Sequence, residues 1–481
     1  MVLLLLLPVI LAFLGGIAAF LVRQDRPRHF VVSVAVFSAA AAALLLMFCR
    51  PEDITLLSLG GTLSLRFGLD ETGAFFLLTD SLVWCFVQFH AFGYMRHEGG
   101  DARFSGFYCL TYGALLALAM AKNAVTLYMC FELMTLLSMP LVLHNGSAHA
   151  RSGAVKYLGY SCFGAALALM GFFLLASGGV SLVFSPGGIS FSSGSSSLLL
   201  SACFLIVLGF GCKAGLVPLQ MWLTEAHPVA PSPASAVLSG VITKGGVLAV
   251  LRVVFYLIGA DVLRGTWVQE TLKTLAIVTV FTGSILALRE KILKRRLAYS
   301  TISQVSYVLF GLFTLNVTGF TGAMLQILFH ALAKNILFLA AGSIIFSTGF
   351  TRVDELKGVG RKMPVTMWCF AIASLSLIGI PPTGGFVSKW FLAMGALEAG
   401  SAVDFADLVI LMLSALMTAF YLLPIVTEAF FPGRDFHAGD YREVEPKMLL
   451  PVVVFSALVL VFGILPGGFS QWFSSIAERL L

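Results

Sequence analysis

GFGCKAGLVPLQMWLTEAHPVAPSP (residues 209–233) and SLIGIPPTGGFVSKWFL (376–392) are apolar stretches of near membrane length, each interrupted by proline and glycine. Proline removes a backbone donor. The carbonyls it frees are tolerated at membrane depth only beside protein or a wet cavity. Two such interruptions in corresponding halves of a chain point to an inverted-repeat transporter core. Pro218 and Pro381 are 381 − 218 = 163 residues apart. The same offset carries the fifth apolar span onto the tenth, near Ser300 to Leu312. Five helices per repeat, an odd number, would invert the second copy.

Composition agrees with this reading. Of 481 residues, 59% are hydrophobic and 11% charged, with a mean hydropathy of +0.96. A soluble domain carries about 25% charged residues, so the expected class is an all-α polytopic membrane protein. MVLLLLLPVILAFLGGIAAFLV (1–22) lacks a basic n-region and is too long for a signal-peptide core, so it reads as the first span. Apolar segments predict about fourteen transmembrane helices, with helices 7 and 12 broken. The expected organisation is helices 1–3 (1–103), a first inverted repeat of helices 4–8 (104–258), a second of helices 9–13 (270–430), and a last helix with a short tail (447–481). The longest polar connection is SPGGISFSSGSSS (185–197).

The net charge of +6 is no nucleic-acid signal. With the N-terminus outside, Lys and Arg favour the inside loops roughly threefold, as the positive-inside rule requires. Arg23, Arg26 and Arg28, then Arg96 and Arg103, then the REKILKRR run (289–296) lead that bias. It predicts both termini outside, in a cell membrane. The eight cysteines lie in or beside apolar helices without a CxxC pair, so they read as small hydrophobes. There is no GxGxxG, Walker loop or haem motif. No cofactor or metal is expected in this chain, and any redox chemistry belongs to a partner.

Charges inside the spans carry the functional reading. A charge at mid-bilayer costs roughly 2.5–3.5 kcal/mol or more, and a series of them suggests a path for protons or small cations. Glu132 sits in LYMCFELMTLLSMP (127–140) with only apolar neighbours. Lys213 precedes the first break by a turn. Lys244 lies in GVITKGGVLAV (240–250). His330 and Lys334 are four residues apart and share a helix face. Lys389 follows the second break, and Lys156 lies at a helix start. Burial lowers a lysine's proton affinity and a nearby carboxylate raises it, so a carboxylate that approaches and retreats makes a switch. Bland alternatives exist. Against the functional reading, Glu132 is the structural partner of one lysine, Lys213 a snorkelling residue and Lys389 beside Trp390 an interfacial anchor, each the lesser alternative. Glu225 and His227 read as accessory groups at a cavity mouth, and Asp80 and His90 as accessory or merely packed. Glu398, Asp404, Asp407 and the acidic run near Glu443 read as solvated faces.

Together these segments resemble the antiporter-like membrane subunits shared by respiratory complex I (NADH:quinone oxidoreductase), energy-converting membrane-bound hydrogenases and Mrp sodium/proton antiporters. The resemblance rests on Phe131–Glu132, KAGLVPLQMWLTEAHPVAPSPASAVLSGVITKGG (213–246), RRLAYSTISQVSYVLFGL (295–312), HALAKNILFLAAG (330–342) and GIPPTGGFVSKW (379–390). It implies fourteen helices with two inverted five-helix repeats. It also implies a proton relay of Glu132 paired with Lys213, then Lys244, His330 and Lys334, with Lys389 as the exit residue. The partners implied are other membrane subunits, redox (Fe–S) subunits in a complex I- or hydrogenase-like assembly, and protons with or without sodium. The chain is expected to lack the lateral arm of the largest complex I homologue and the extra domains of the largest Mrp subunit. The expected function is a proton-translocating subunit of a redox-driven membrane complex. The alternative is an Mrp-type sodium/proton antiporter subunit without redox chemistry.

Overall fold

The computed structural model describes residues 2–58, 60, 63–188, 197–398, 402–433 and 439–481. Most of the polar connection 185–197 (189–196) and Arg434 lie outside the described residues.

The N-terminal part holds α1 (Val2–Leu21), α2 (Asp25–Cys49), α3 (Glu71–Glu98), α4 (Asp101–Ala119), α5 (Ala124–Val142) and α6 (Ala148–Ser177). Then come α7 (Ser197–Ala214), α8 (Met221–Val229), α9 (Ser232–Ile258), α10 (Trp267–Arg289), α11 (Leu293–Phe313) and α12 (Val317–Thr348). The C-terminal part holds α13 (Pro364–Ile378), α14 (Gly384–Leu397), α15 (Ala402–Phe430), α16 (Pro446–Ile464) and α17 (Gly467–Leu480). Asp70, Asn123, Ser147, Thr266 and Asn316 start their helices by accepting a backbone N–H from three residues ahead. Eleven helices among the described residues are long and apolar enough to cross a membrane. In α9 and α12 the most apolar window is wholly buried, so these two helices lie in the interior of the bundle.

One element departs from the all-helical expectation. Residues Ile54–Ser58 (β1) and Ser64–Phe67 (β2) pair antiparallel, with Ile54 opposite Phe67. Gly60, at φ +90°, lies in the connection, a conformation that side chains resist. Asn123 Nδ2 donates to Ser64 O (2.7 Å) and Arg66 N donates to Thr126 Oγ1 (2.8 Å), fixing the hairpin to the start of α5.

The tail also differs from a simple extension. α17 is amphipathic, with Phe473, Ile476, Ala477 and Leu480 buried against the bundle. Arg479 closes it with a two-point ion pair to Glu71, at 3.0 and 2.6 Å.

Small residues let helices approach at backbone distance, which replaces the hydrophobic drive missing in lipid. A Cβ on Gly209 of α7 would fall 2.3 Å from Gly164 O of α6.

A buried ion pair ties the start of α3 to α9. Arg252, fully buried, donates to both Asp70 oxygens (2.5 and 2.9 Å) and lies 4.6 Å from the Tyr256 ring. Burial pushes the Asp70 carboxyl up, but the Arg252 guanidinium, with Lys122 and the Gly73 N–H, wins and holds it at about 2. Removing one partner of such a pair leaves an uncompensated charge, at a cost of about 3–5 kcal/mol. Asp70→Asn is therefore expected to lower the melting temperature of the detergent-purified protein, and the Asp70→Asn/Arg252→Met pair to restore most of it. Because the folded carboxyl titrates below its unfolded value, the pair's contribution is complete above about pH 4 and is lost as pH falls toward 2. Equal melting of Asp70→Asn and the parent would refute the assignment.

Candidate functional site: a line of buried lysines

The backbone leaves the helix at two places. Between α7 and α8, Leu216 N bonds Gly211 O (2.9 Å), Val217 N bonds Thr279 Oγ1 (3.1 Å) and Trp222 Nε1 takes Cys212 O (2.9 Å). Between α13 and α14, Gly379 adopts φ +95° and Ile380 N bonds Leu375 O (3.0 Å). There the last carbonyls of α13 are taken by a side chain. Lys389 Nζ, on α14, donates to Leu377 O (2.6 Å) and Ile378 O (3.0 Å), and lies 4.9 Å from the Tyr307 ring. This is the negative end of a helix dipole. Lys389 is 6% exposed and Trp390 58%, so the ammonium is turned inward while the indole faces out. An interfacial anchor would place both at the surface.

Lys213, one residue before the end of α7, is buried. Its Nζ donates to Thr135 Oγ1 (2.9 Å), Tyr157 Oη (2.5 Å) and Ser161 Oγ (3.4 Å), and sits 4.0 Å from the Tyr157 ring. Glu132 is only half buried, on the side of α5 that exposes Met129 and Leu136. Its Oε1 has no hydrogen-bond partner among the described residues. The expected Glu132–Lys213 pair is not closed by an ion pair within 4 Å, although Lys213 is the cation that acts on Glu132. Lys213 instead has the hydroxyls of Thr135, Tyr157 and Ser161 nearer to hand.

Lys244 follows a π-helical turn of α9, Leu238–Ile242. A π turn breaks the i to i+4 ladder and releases carbonyls. Ser239 O accepts here from both Thr243 Oγ1 (3.0 Å) and Lys244 Nζ. Lys244 Nζ also bonds His330 Nδ1 of α12 at 2.6 Å. One turn on, Lys334 Nζ donates to Leu297 O (2.9 Å) and to Ser300 Oγ on α11. His330 Nε2 is left without a partner. The structure thus brings Lys244 and His330 into direct contact and sets Lys334 on the same face of α12.

The accessory pair separates. Glu225 lies near the surface, bonded at 2.8 Å to the exposed Lys156 of α6. His227 is fully buried against the Phe338 ring (4.8 Å between centroids), with both nitrogens unpartnered. Two expectations need correction. Asp404 and Asp407 are not a solvated face. They are buried on α15 against Lys273 of α10, at 3.1 and 3.7 Å. Lys294, counted with the basic anchor, is buried too, and its Nζ donates to Ala230 O at 2.5 Å. Neither appears in periodicity, because the partner comes from another helix. No group of three or more potential metal ligands occurs among the described residues.

These features define a multi-pass integral membrane protein with cations buried along its centre. Residues 121–418 match the family model for the NADH:quinone oxidoreductase/Mrp antiporter transmembrane region, and the chain belongs to that family of antiporter-like membrane subunits. It is 34% identical over 394 residues to NADH-quinone oxidoreductase subunit N of Desulforudis audaxviator, covering 77% of this chain and 75% of that protein. It is 30% identical over 420 residues to hydrogenase-4 component B of Escherichia coli, covering 82% of this chain but 62% of that relative's length. Similarity to a Na(+)/H(+) antiporter subunit of Bacillus subtilis is lower, at 26% over 492 residues, but spans 99% and 97% of the two chains. The fold matches a chain of the Mrp complex from Dietzia sp. (TM-score 0.86, 21% identity, 99% and 97% covered). It also matches a chain of respiratory complex I from Thermus thermophilus (0.84, 21%, 99% and 98%).

Packing around Lys213 makes a sharp prediction. A Cβ on Gly246 would fall 2.8 Å from Ala214 N and 2.9 Å from Lys213 Cβ, whereas one on Gly245 would meet the flexible Met134 Sδ at 2.8 Å. Gly246→Ala is expected to destabilise by about 1–3 kcal/mol and Gly245→Ala by less. Melting of both purified variants checks the order, and the reverse order would refute it.

Proposed function

We propose that this chain is a proton-translocating subunit of an energy-converting membrane complex, coupled to redox chemistry in partner subunits. One observation carries the reading. Lys213, Lys244, Lys334 and Lys389 are all buried, and none has a carboxylate within ion-pair distance among the described residues. An ammonium held without a carboxylate, by hydroxyls, carbonyls and at Lys244 an imidazole nitrogen, gives up its proton more readily than one in an ion pair.

In the proposed relay Glu132 sets the proton affinity of Lys213 as the gap between them closes and opens. Lys244, His330 and Lys334 pass the proton along the middle, and Lys389 releases it. Glu225 and His227 are accessory. The proposed frame has fourteen spans. The eleven helices above supply most of them, and α4, α11 and the α13–α14 pair supply three more, 11 + 3 = 14. The repeats would be residues 104–258 and 270–430, flanked by 1–103 and 447–481, with helices 7 and 12 broken. Both termini are proposed to lie outside the cell membrane, with other membrane subunits and Fe–S subunits as partners and no cofactor in this chain.

The full-length likeness to the Bacillus subtilis antiporter subunit favours a second reading. There the chain serves a sodium/proton antiporter without redox partners, and sodium is carried. Mass spectrometry of what copurifies with the tagged chain in mild detergent separates the two. Fe–S or nickel-binding peripheral subunits support the first, and small membrane subunits alone support the second.

Lys213→Ala and Glu132→Ala are each expected to cut coupled proton transport by about tenfold or more while the complex still assembles. Dye-monitored acidification of vesicles checks this, and normal transport in both variants would sink the relay.

A further inference from the structure

Helix α3 stands outside both proposed repeats, yet it carries a polar stripe. Asp80, His90, Tyr94 and Glu98 fall within one narrow face, which runs roughly 27 Å from the helix end toward the middle. That face enters a seam with α9 and α12, which both pack on α3. Glu98, half buried, accepts from the Tyr94 hydroxyl at 3.2 Å. Tyr94 also reaches Ser232, the first residue of α9, whose Oγ has no aligned partner. The rings of Tyr94 and His90 lie 5.8 Å apart. His90 Nε2 contacts Leu339 O (3.0 Å) and Ser343 Oγ (3.2 Å) of α12, and its Nδ1 is left unpartnered.

Deeper in the seam, Asn335 of α12 faces Gly240 and keeps an unpartnered Oδ1. At the inner end, Lys244, one turn beyond Gly240 on α9, bonds Ser239 O and His330 Nδ1, and Asp80 of α3 is buried. Apolar packing would leave no such sequence of orphaned polar atoms, because each costs free energy unless water satisfies it. Three elements therefore supply Ser232 Oγ, His90 Nδ1 and Asn335 Oδ1 to one seam, between a surface carboxylate and a relay lysine.

We propose that this seam is a proton inlet, leading from Glu98 through Tyr94, Ser232, His90 and Asn335 to Lys244. The inlet rests on the relay reading. A proton binds the Glu98 carboxylate. The Tyr94 hydroxyl accepts one proton and gives its own toward Ser232. Water in the seam carries it past His90 and Asn335 to the neutral Lys244 amine, which becomes an ammonium. One proton enters, one is delivered, and every intermediate group is restored.

The test uses the intact complex in vesicles, with Lys213→Ala as the reference. Tyr94→Phe/His90→Phe keeps the rings and removes the polar atoms. It is expected to slow proton transport about tenfold or more, with assembly unchanged. Glu98→Gln, a near-isosteric change at the half-buried outer end, is expected to slow transport severalfold, and Glu98→Asp to restore it. Full transport in Glu98→Gln and in the double variant, with Lys213→Ala inactive, overturns the inlet and leaves the relay standing. Full transport in Lys213→Ala overturns the relay, and the inlet with it. Loss in Glu98→Gln that Glu98→Asp does not restore also overturns the inlet.

Discussion

A lysine ammonium withdrawn from water must find acceptors, and in this protein the backbone supplies half of them for the buried lysines without a carboxylate partner. Lys389 binds the last carbonyls of α13, Lys244 a carbonyl released by a π turn, Lys334 the Leu297 carbonyl and Lys294 the Ala230 carbonyl that follows α8. Each acceptor arises where the regular helical ladder ends, loosens or is shared. Carbonyl dipoles stabilise a cation less than a carboxylate does, but they add no opposing charge to the membrane interior. Interrupted helices and buried lysines are thus one design. The breaks cost backbone hydrogen bonds and return them as ligands for charge.

The contrast with Arg252 shows how the chain treats a cation meant to stay. Arg252 is buried just as deeply, but it meets Asp70 with two hydrogen bonds and never needs to release a proton. Lys273 is handled in the same way by Asp404 and Asp407. Full ionic pairing marks structural charges here. Hydroxyls, carbonyls and one imidazole nitrogen hold the four lysines of the proposed relay.

Much of this was legible in the sequence, for identifiable reasons. Proline and glycine inside apolar runs announce non-helical backbone, and the structure leaves the helix beside Pro218 and Pro381. Spacing by four residues placed His330 and Lys334 on one face. What stayed hidden depends on distant partners. Nothing local to Asp404 signals Lys273, 131 residues away, and nothing in the basic run 289–296 singles out Lys294 as buried. The hairpin at 54–67 is too short and too weakly alternating to rise above the apolar background. The unpaired state of Glu132 is likewise a matter of three dimensions, since Thr135, one turn along its own helix, takes the place at Lys213 that the carboxylate was expected to fill.

The two halves look mismatched at first. Lys213 precedes its break and Lys389 follows its own. Under the proposed offset of 163 residues, Lys213 corresponds to 213 + 163 = 376, which is Ser376. That serine carries no charge and its Oγ is unpartnered. Yet the Lys389 side chain runs back across the break, so that its ammonium rests on the carbonyls of Leu377 and Ile378, the residues directly after Ser376. The charge therefore returns to the place that Lys213 occupies in the first half, although the residue bearing it has moved along the chain. Under the proposed repeat, the position of the cation relative to the broken backbone is kept while the sequence is free to differ. This explains why the closeness of Gly379 matters: a Cβ there would fall 2.9 Å from Lys389 Cδ, in the space through which the side chain passes.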